Sequence, residues 1–137
     1  MTTKEYLSQI FLLSMKVKTK RQQAAELRDN ITGVCGIDYS GIKVQTSPKA
    51  RMQETIDRLV GLEEEIARDI LEMELKKEKV IGQINQMKNP AHIQILKLRY
   101  IDFLKWEEIS EIMGYSTRQV YRLHGKALRE FRKENKF

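Results

Sequence analysis

Between Ser116 and Arg129 the side chains able to donate hydrogen bonds outward fall at helical spacing: Thr117, Arg118, Tyr121, Arg122, Lys126 and Arg129. Val120, Leu123, Ala127, Leu128 and Phe131 recur at three- and four-residue steps on the opposite side. A guanidinium can give two parallel hydrogen bonds to O6 and N7 of guanine, and lysine and arginine neutralise phosphate without reading sequence. The pattern implies contact with double-stranded DNA. Thr117, Arg118, Tyr121 and Arg122 are expected at base edges, and Ser116, Lys126 and Arg129 at phosphates, joined by Arg99 from the preceding helix. The plainer reading is a solvated helix C-terminus, where cations also offset the helix dipole.

What favours the first reading is how the segment is mounted. Trp106–Met113 reads as a short amphipathic helix. Gly114 follows where a helix stop needs positive φ without the cost of a Cβ. Ser116 restarts the chain as an N-cap, and Gln119 three residues on completes a capping box. Two helices joined by a tight glycine turn, the second basic outside and apolar inside, form a helix-turn-helix pattern.

The run LKLRYIDFLKWEEISEIMGYSTRQVYRLHGKAL, roughly Leu96 to Arg132, resembles the fourth region of bacterial sigma factors. Its most specific parts are LRY, WEEI, GYS and the V-x-x-L-x-x-x-AL spacing. That resemblance implies a domain reading a promoter element, with Thr117, Arg118 and Arg122 at base-contacting positions. Arg118 stands where sigma factors commonly carry Glu, which implies a different target sequence. Lys105 stands where they usually carry a Ser or Thr cap. With its basic, coiled N-terminal part, the whole chain resembles small phage-encoded late-gene regulators of the ArpU/RinA-like group from Gram-positive hosts.

Composition narrows the alternatives. The chain has 137 residues, a formal charge of +6 and 32% charged residues. Residues 116–137 hold seven Lys/Arg against two Glu, a net +5, so nearly the whole excess lies on this helix and its tail. Cys35 is the single cysteine, and with only His92 and His124 available no disulfide framework or zinc site is expected. A nucleophilic role for Cys35 would need a neighbouring base, and the sequence offers none. There is no paired-carboxylate, Ser/His/Asp or glycine-rich phosphate pattern either. The expectation is a non-enzyme with no cofactor and no metal. The N-terminus lacks the pattern of a signal peptide, and no apolar run approaches the ~18 residues of a membrane span. A cytoplasmic location in a bacterial host cell is expected.

The remainder reads as scaffold. Tyr6, Ile10, Leu13, Val17, Ala24 and Leu27 mark a helix over about Thr3–Asp29, with Lys20 interrupting the stripe. Lys16, Lys18, Lys20 and Arg21 read as its solvated face, with contact to nucleic acid or to acidic groups on a partner as the alternative. Residues 30–47, rich in Gly, Asn, Asp and Ser, read as a loop, in which VCGI and GIKV suggest a short hairpin. Ser47-Pro48 then opens a long helix. Its seam is Met52, Ile56, Leu59, Glu63, Ile66, Ile70, Met73, Lys77, Val80, Ile84 and Met87, sustained as in a coiled coil. Asn89-Pro90 ends it and starts the next helix. There Ile93, Leu96, Leu98, Tyr100, Ile101 and Leu104 are expected to close a three-helix core with Ile109, Ile112, Met113, Val120 and Leu123. His92 is expected as an exposed polar residue, and Trp106 as packing.

The predicted fold is all-α. An antiparallel helical hairpin or coiled coil over 1–88 carries oligomerisation, with its loop at 30–47. A helix-turn-helix DNA-binding domain follows over 89–137. A homodimer through the coiled coil is expected, with a monomeric hairpin as the alternative. The predicted function is a sequence-specific transcriptional regulator, an activator of phage late genes as the resemblance implies. Two other classes fit the same features: a small-terminase-like packaging factor, and an adaptor binding RNA polymerase through the sigma-like domain.

Overall fold

The computed structural model describes residues 1–34 and 48–137. Every regular element among them is helical, as expected: α1 Thr3–Val34, α2 Pro48–Asn85, α3 Pro90–Leu96, α4 Trp106–Met113 and α5 Thr117–Glu134, with a π-helical stretch Lys97–Ile101 after α3. The hairpin suggested around Cys35 lies outside the described residues. The first helix is longer than expected, because residues 30–34 continue α1 instead of opening the loop.

Two compact units emerge, and they do not follow chain order. One comprises Met1–Ser14 with Glu72–Phe137; the other is Met15–Leu71.

The second unit is an antiparallel helix pair. Val17 and Ala24 of α1 are buried with Ile66 of α2, and Leu59, Leu62 and Ile70 pack against them. This is the seam read from the heptad spacing. Lys20, the residue breaking the α1 stripe, sets its ammonium 2.6 Å from one oxygen of buried Asp69 and 3.4 Å from Glu65. Lys16 approaches Asp69 at 3.7 Å. Lys20 holds the Asp69 carboxyl below the usual carboxylate range against the opposing effect of burial, and Asp69 in turn raises Lys20. Seam residue Glu63 is exposed and pairs with Arg28 of α1.

The first unit holds the main core. Tyr6, Leu7 and Ile10 from α1 join Val80, Ile84 and Met87 at the end of α2, Ile95, Leu96 and Tyr100 after Pro90, Ile109 of α4, and Val120, Ala127 and Phe131 of α5. Asn89 caps α3 by accepting a hydrogen bond from the Ala91 amide at 3.0 Å, and Pro90 occupies the first helical turn. Nearly all the expected three-helix core lies here. The exception is Ile112, which is 55% exposed. It follows Glu108 and Glu111 on the outer side of α4, a face the helix does not bury.

α5 is fixed to the core by aromatic contacts far apart in sequence. The ring of fully buried Phe131 lies 6.0 Å from Tyr6 and 6.2 Å from Phe137, and Tyr6 stacks on Phe137 at 4.3 Å. The Tyr6 hydroxyl donates to Gln83 at 2.7 Å, so its polar end is satisfied as well. Removing the Phe131 ring would leave a cavity in this core. Phe131→Ala should cost about 3–5 kcal/mol, read as a lower urea midpoint with an unchanged slope. A loss under about 1 kcal/mol would mean this contact is peripheral to the fold.

Candidate nucleic-acid interface

The outward residues of α5 are placed by what stops α4. Gly114 takes φ 70°, ψ 24°, the left-handed conformation a Cβ resists, and its amide closes on the Ser110 carbonyl at 3.0 Å. The Tyr115 amide reaches the same carbonyl at 3.2 Å, and the Ser110 hydroxyl donates to the Tyr115 carbonyl. Ser116 then starts α5 with the full capping box: its hydroxyl accepts from the Gln119 amide at 3.2 Å, and Gln119 Oε1 accepts from the Ser116 amide at 2.9 Å. The turn is therefore fixed by hydrogen bonds on both sides of three exposed residues. By contrast α4 begins without a side-chain cap at Lys105.

With the start of α5 fixed, burial of Val120, His124, Ala127 and Phe131 dictates which side faces out. Thr117, Arg118, Tyr121 and Arg122 are all exposed, as are Ser116, Lys126 and Arg129. None of Arg118, Arg122 and Lys126 has an acidic partner among the described residues. Tyr121 is 51% exposed, and its ring rests 5.1 Å from Trp106, which limits where it can point. Tyr115, Gln119, Arg122, Leu123 and Lys126 border a shallow hollow along this face. Arg129 folds back, its Nε donating to the Gly125 carbonyl at 3.2 Å. A Cβ added at Gly125 would lie 3.8 Å from the Arg129 guanidinium, an ordinary van der Waals contact, so the space there does not require a glycine.

Arg99 is placed differently from the other cations. It is half-buried, its Nη1 donates to the Leu104 carbonyl at 2.9 Å, and its guanidinium lies 4.4 Å over the Trp106 ring. The π-helical stretch brings it there. The Asp102 amide bonds back to the Lys97 carbonyl at 3.0 Å, one residue further than in an α-helix, and Phe103 follows at φ 57°. A phenylalanine at positive φ costs about 1–2 kcal/mol. The surrounding contacts hold it there.

Residues 33–132 match the family described as "Protein of unknown function (DUF1492)". The chain belongs to the DUF1492 family. Neither the curated proteins nor the solved structures compared with it match. Membership brings no activity with it, so the reading of this DUF1492 chain rests on its own residues. Among those described, no helix is long and apolar enough to cross a membrane and no group of acidic, His or Cys side chains could hold a metal ion.

Two histidine contacts support the face, and neither was legible. His92, expected exposed, is instead largely covered and bonds through Nδ1 to Glu130 of α5. Glu130 also accepts from the Lys88 amide at 2.9 Å and the Asn89 amide at 3.4 Å. The His92 ring, helped by those amides, holds its carboxyl below the ordinary range. The one hint in the sequence is an acid at position 130 inside a cationic segment.

His124 is buried beneath the outward residues. The Tyr100 hydroxyl and its Nε2 are hydrogen-bonded at 2.7 Å, and Trp106 meets its ring edge-on at 4.7 Å. Burial, with Lys4 and Arg99 nearby, lowers His124 to about 4, and burial raises Tyr100 to about 12. The fold therefore holds the neutral imidazole, and the unfolded chain takes up a proton first. His124 contributes its full stability above about pH 6.5 and loses it as pH falls toward 4, a change on the order of 2–3 kcal/mol. Urea denaturation at pH 7.0, 5.5 and 4.5 should show this loss, and His124→Gln, which cannot titrate, should flatten it. Equal slopes in both proteins would place the proton uptake elsewhere.

Proposed function

We propose that this DUF1492 protein is a sequence-specific double-stranded DNA-binding regulator of transcription that reads the major groove with the N-terminal half of α5. The observation that carries the reading is the outward face Thr117, Arg118, Tyr121 and Arg122. It sits on a helix whose start is fixed by Gly114 and Ser116 and whose inner side is buried. A major groove about 12 Å wide admits one helix, and exposed arginines without acidic partners suit guanine edges and phosphates. Ser116 and Lys126 supply phosphate contacts, with Arg129 able to join once it leaves the Gly125 carbonyl. The resemblance to sigma region four and to ArpU/RinA-like phage regulators supports the same reading and suggests activation of late genes in a bacterial cytoplasm.

One such domain makes a small interface, and two linked copies gain affinity from simultaneous binding. We place dimerisation on the hairpin. Val60 and Leu71 are 49% and 61% exposed on α2, apolar surface the α1 partner leaves uncovered. Light scattering should give a mass of two chains. A ring of about eight would favour the packaging-factor class.

The roles of the cations separate by experiment. Arg118→Ala and Arg122→Ala should each cost about 1–3 kcal/mol on the preferred site and little on unrelated duplex, relaxing base preference. Lys126→Ala should weaken every duplex alike and reduce the salt dependence by about one ion. The target is obtained by selection from a random duplex pool, and affinities by anisotropy across a salt series. No binding to any duplex at low salt would sink the proposal and leave the polymerase adaptor as the reading to pursue.

A further inference from the structure

On the first unit, lined by none of the outward residues of α5, lies a hollow of about 350 Å³. Phe11, Tyr100 and Phe103 give it aromatic walls, with Phe11 and Phe103 meeting edge to face at 5.4 Å. Lys4, Arg99 and Lys105 converge on it, and no carboxylate lines it. Three like charges at one apolar hollow repel one another, and this concentrates positive potential over low-dielectric walls. Lys4 and Lys105 are exposed and have no acidic partner among the described residues. Arg99 is committed only through Nη1 and its stacking face, which leaves other N–H groups unused. The backbone holds Phe103 at φ 57°, where a non-glycine residue is disfavoured, and its ring forms one wall.

We propose that this hollow binds a small organic anion, an apolar or aromatic body carrying a carboxylate or phosphate. Its volume sits at the lower end of ordinary ligand sites and suits one or two fused rings. The aromatic walls would take the body, and the three cations the anionic head. A neutral apolar molecule would leave the converging charges uncompensated, and a bare inorganic anion would leave the walls wet. Bound ligand would also be felt at α5, because Tyr100 lines the hollow and hydrogen-bonds His124 of that helix. The site itself does not depend on what α5 binds.

The test uses the full chain and three probes: 2-naphthoate, its neutral analogue 2-naphthalenemethanol, and inorganic phosphate. Trp106, the chain's single tryptophan, lies against Arg99, so its fluorescence reports occupancy alongside calorimetry. The expected result is one 2-naphthoate per chain, bound at least about tenfold more tightly than either other probe. Lys4→Gln with Lys105→Gln, both exposed and outside the core, should weaken 2-naphthoate about tenfold or more and leave the unfolding midpoint unchanged. Equal affinity for acid and alcohol, or an unchanged affinity in the double variant, would overturn the proposal. So would loss of duplex DNA affinity in that variant with 2-naphthoate binding intact, since the cations would then belong to a phosphate track. Failure of Arg118 and Arg122 variants to alter DNA binding would leave this site untouched.

Discussion

The structure depends on one constraint, that α5 must be apolar on one side and cationic on the other, with no freedom about which is which. Val120, Ala127 and Phe131 are fully buried in the core, so a rotation of the helix would drive arginine into the space they occupy. Burying an unpaired guanidinium costs far more than the packing it would replace. The orientation of Thr117, Arg118, Tyr121 and Arg122 is thus an outcome of core packing, and the glycine turn and capping box only have to set where the helix begins.

The same logic runs through the polar groups inside the fold. His124 is covered and therefore neutral, with Tyr100 supplying its hydrogen bond. Asp69 is covered and therefore paired, and the lysine that answers it is the one misfit in the α1 stripe. Glu130 is half-covered and gathers two amides and an imidazole. In each case a buried polar atom is tolerated because its partner comes from another helix, which ties the helices together at a defined register. These contacts fix geometry more than they add stability.

What could be read from sequence follows from the range of the interactions involved. Capping and turn chemistry is local, so Asn89-Pro90, Gly114 and Ser116–Gln119 were legible residue by residue, and the heptad spacing gave Leu59, Ile66 and Ile70 as the buried face of α2. The outward face of α5 was legible for the same reason, since one helical period carries it. The packing of Tyr6 on Phe131 and Phe137 was not, because nothing in the periodicity of α1 names a partner at the far end of the chain. The π-helical stretch, the folded-back Arg129 and the covered His92 were also missed. Each depends on a neighbour in space that spacing does not reveal. Ile112 shows the limit of reading apolar residues as core: on a helix of two turns, one face is buried and an isoleucine beside two glutamates can lie on the other.

Glu130 fastens the far end of α5 to the backbone between α2 and α3, while Arg118 lies twelve residues away, about 18 Å along the axis. The helix behaves as a beam clamped at one end, with its tip held by apolar contacts, the Tyr100–His124 hydrogen bond and the capped turn before it. Side chains at positions 117, 118, 121 and 122 can therefore be exchanged without loosening the clamp. A lineage carrying this scaffold could retune the chemistry of the tip many times over while the rest of the molecule stays as it is.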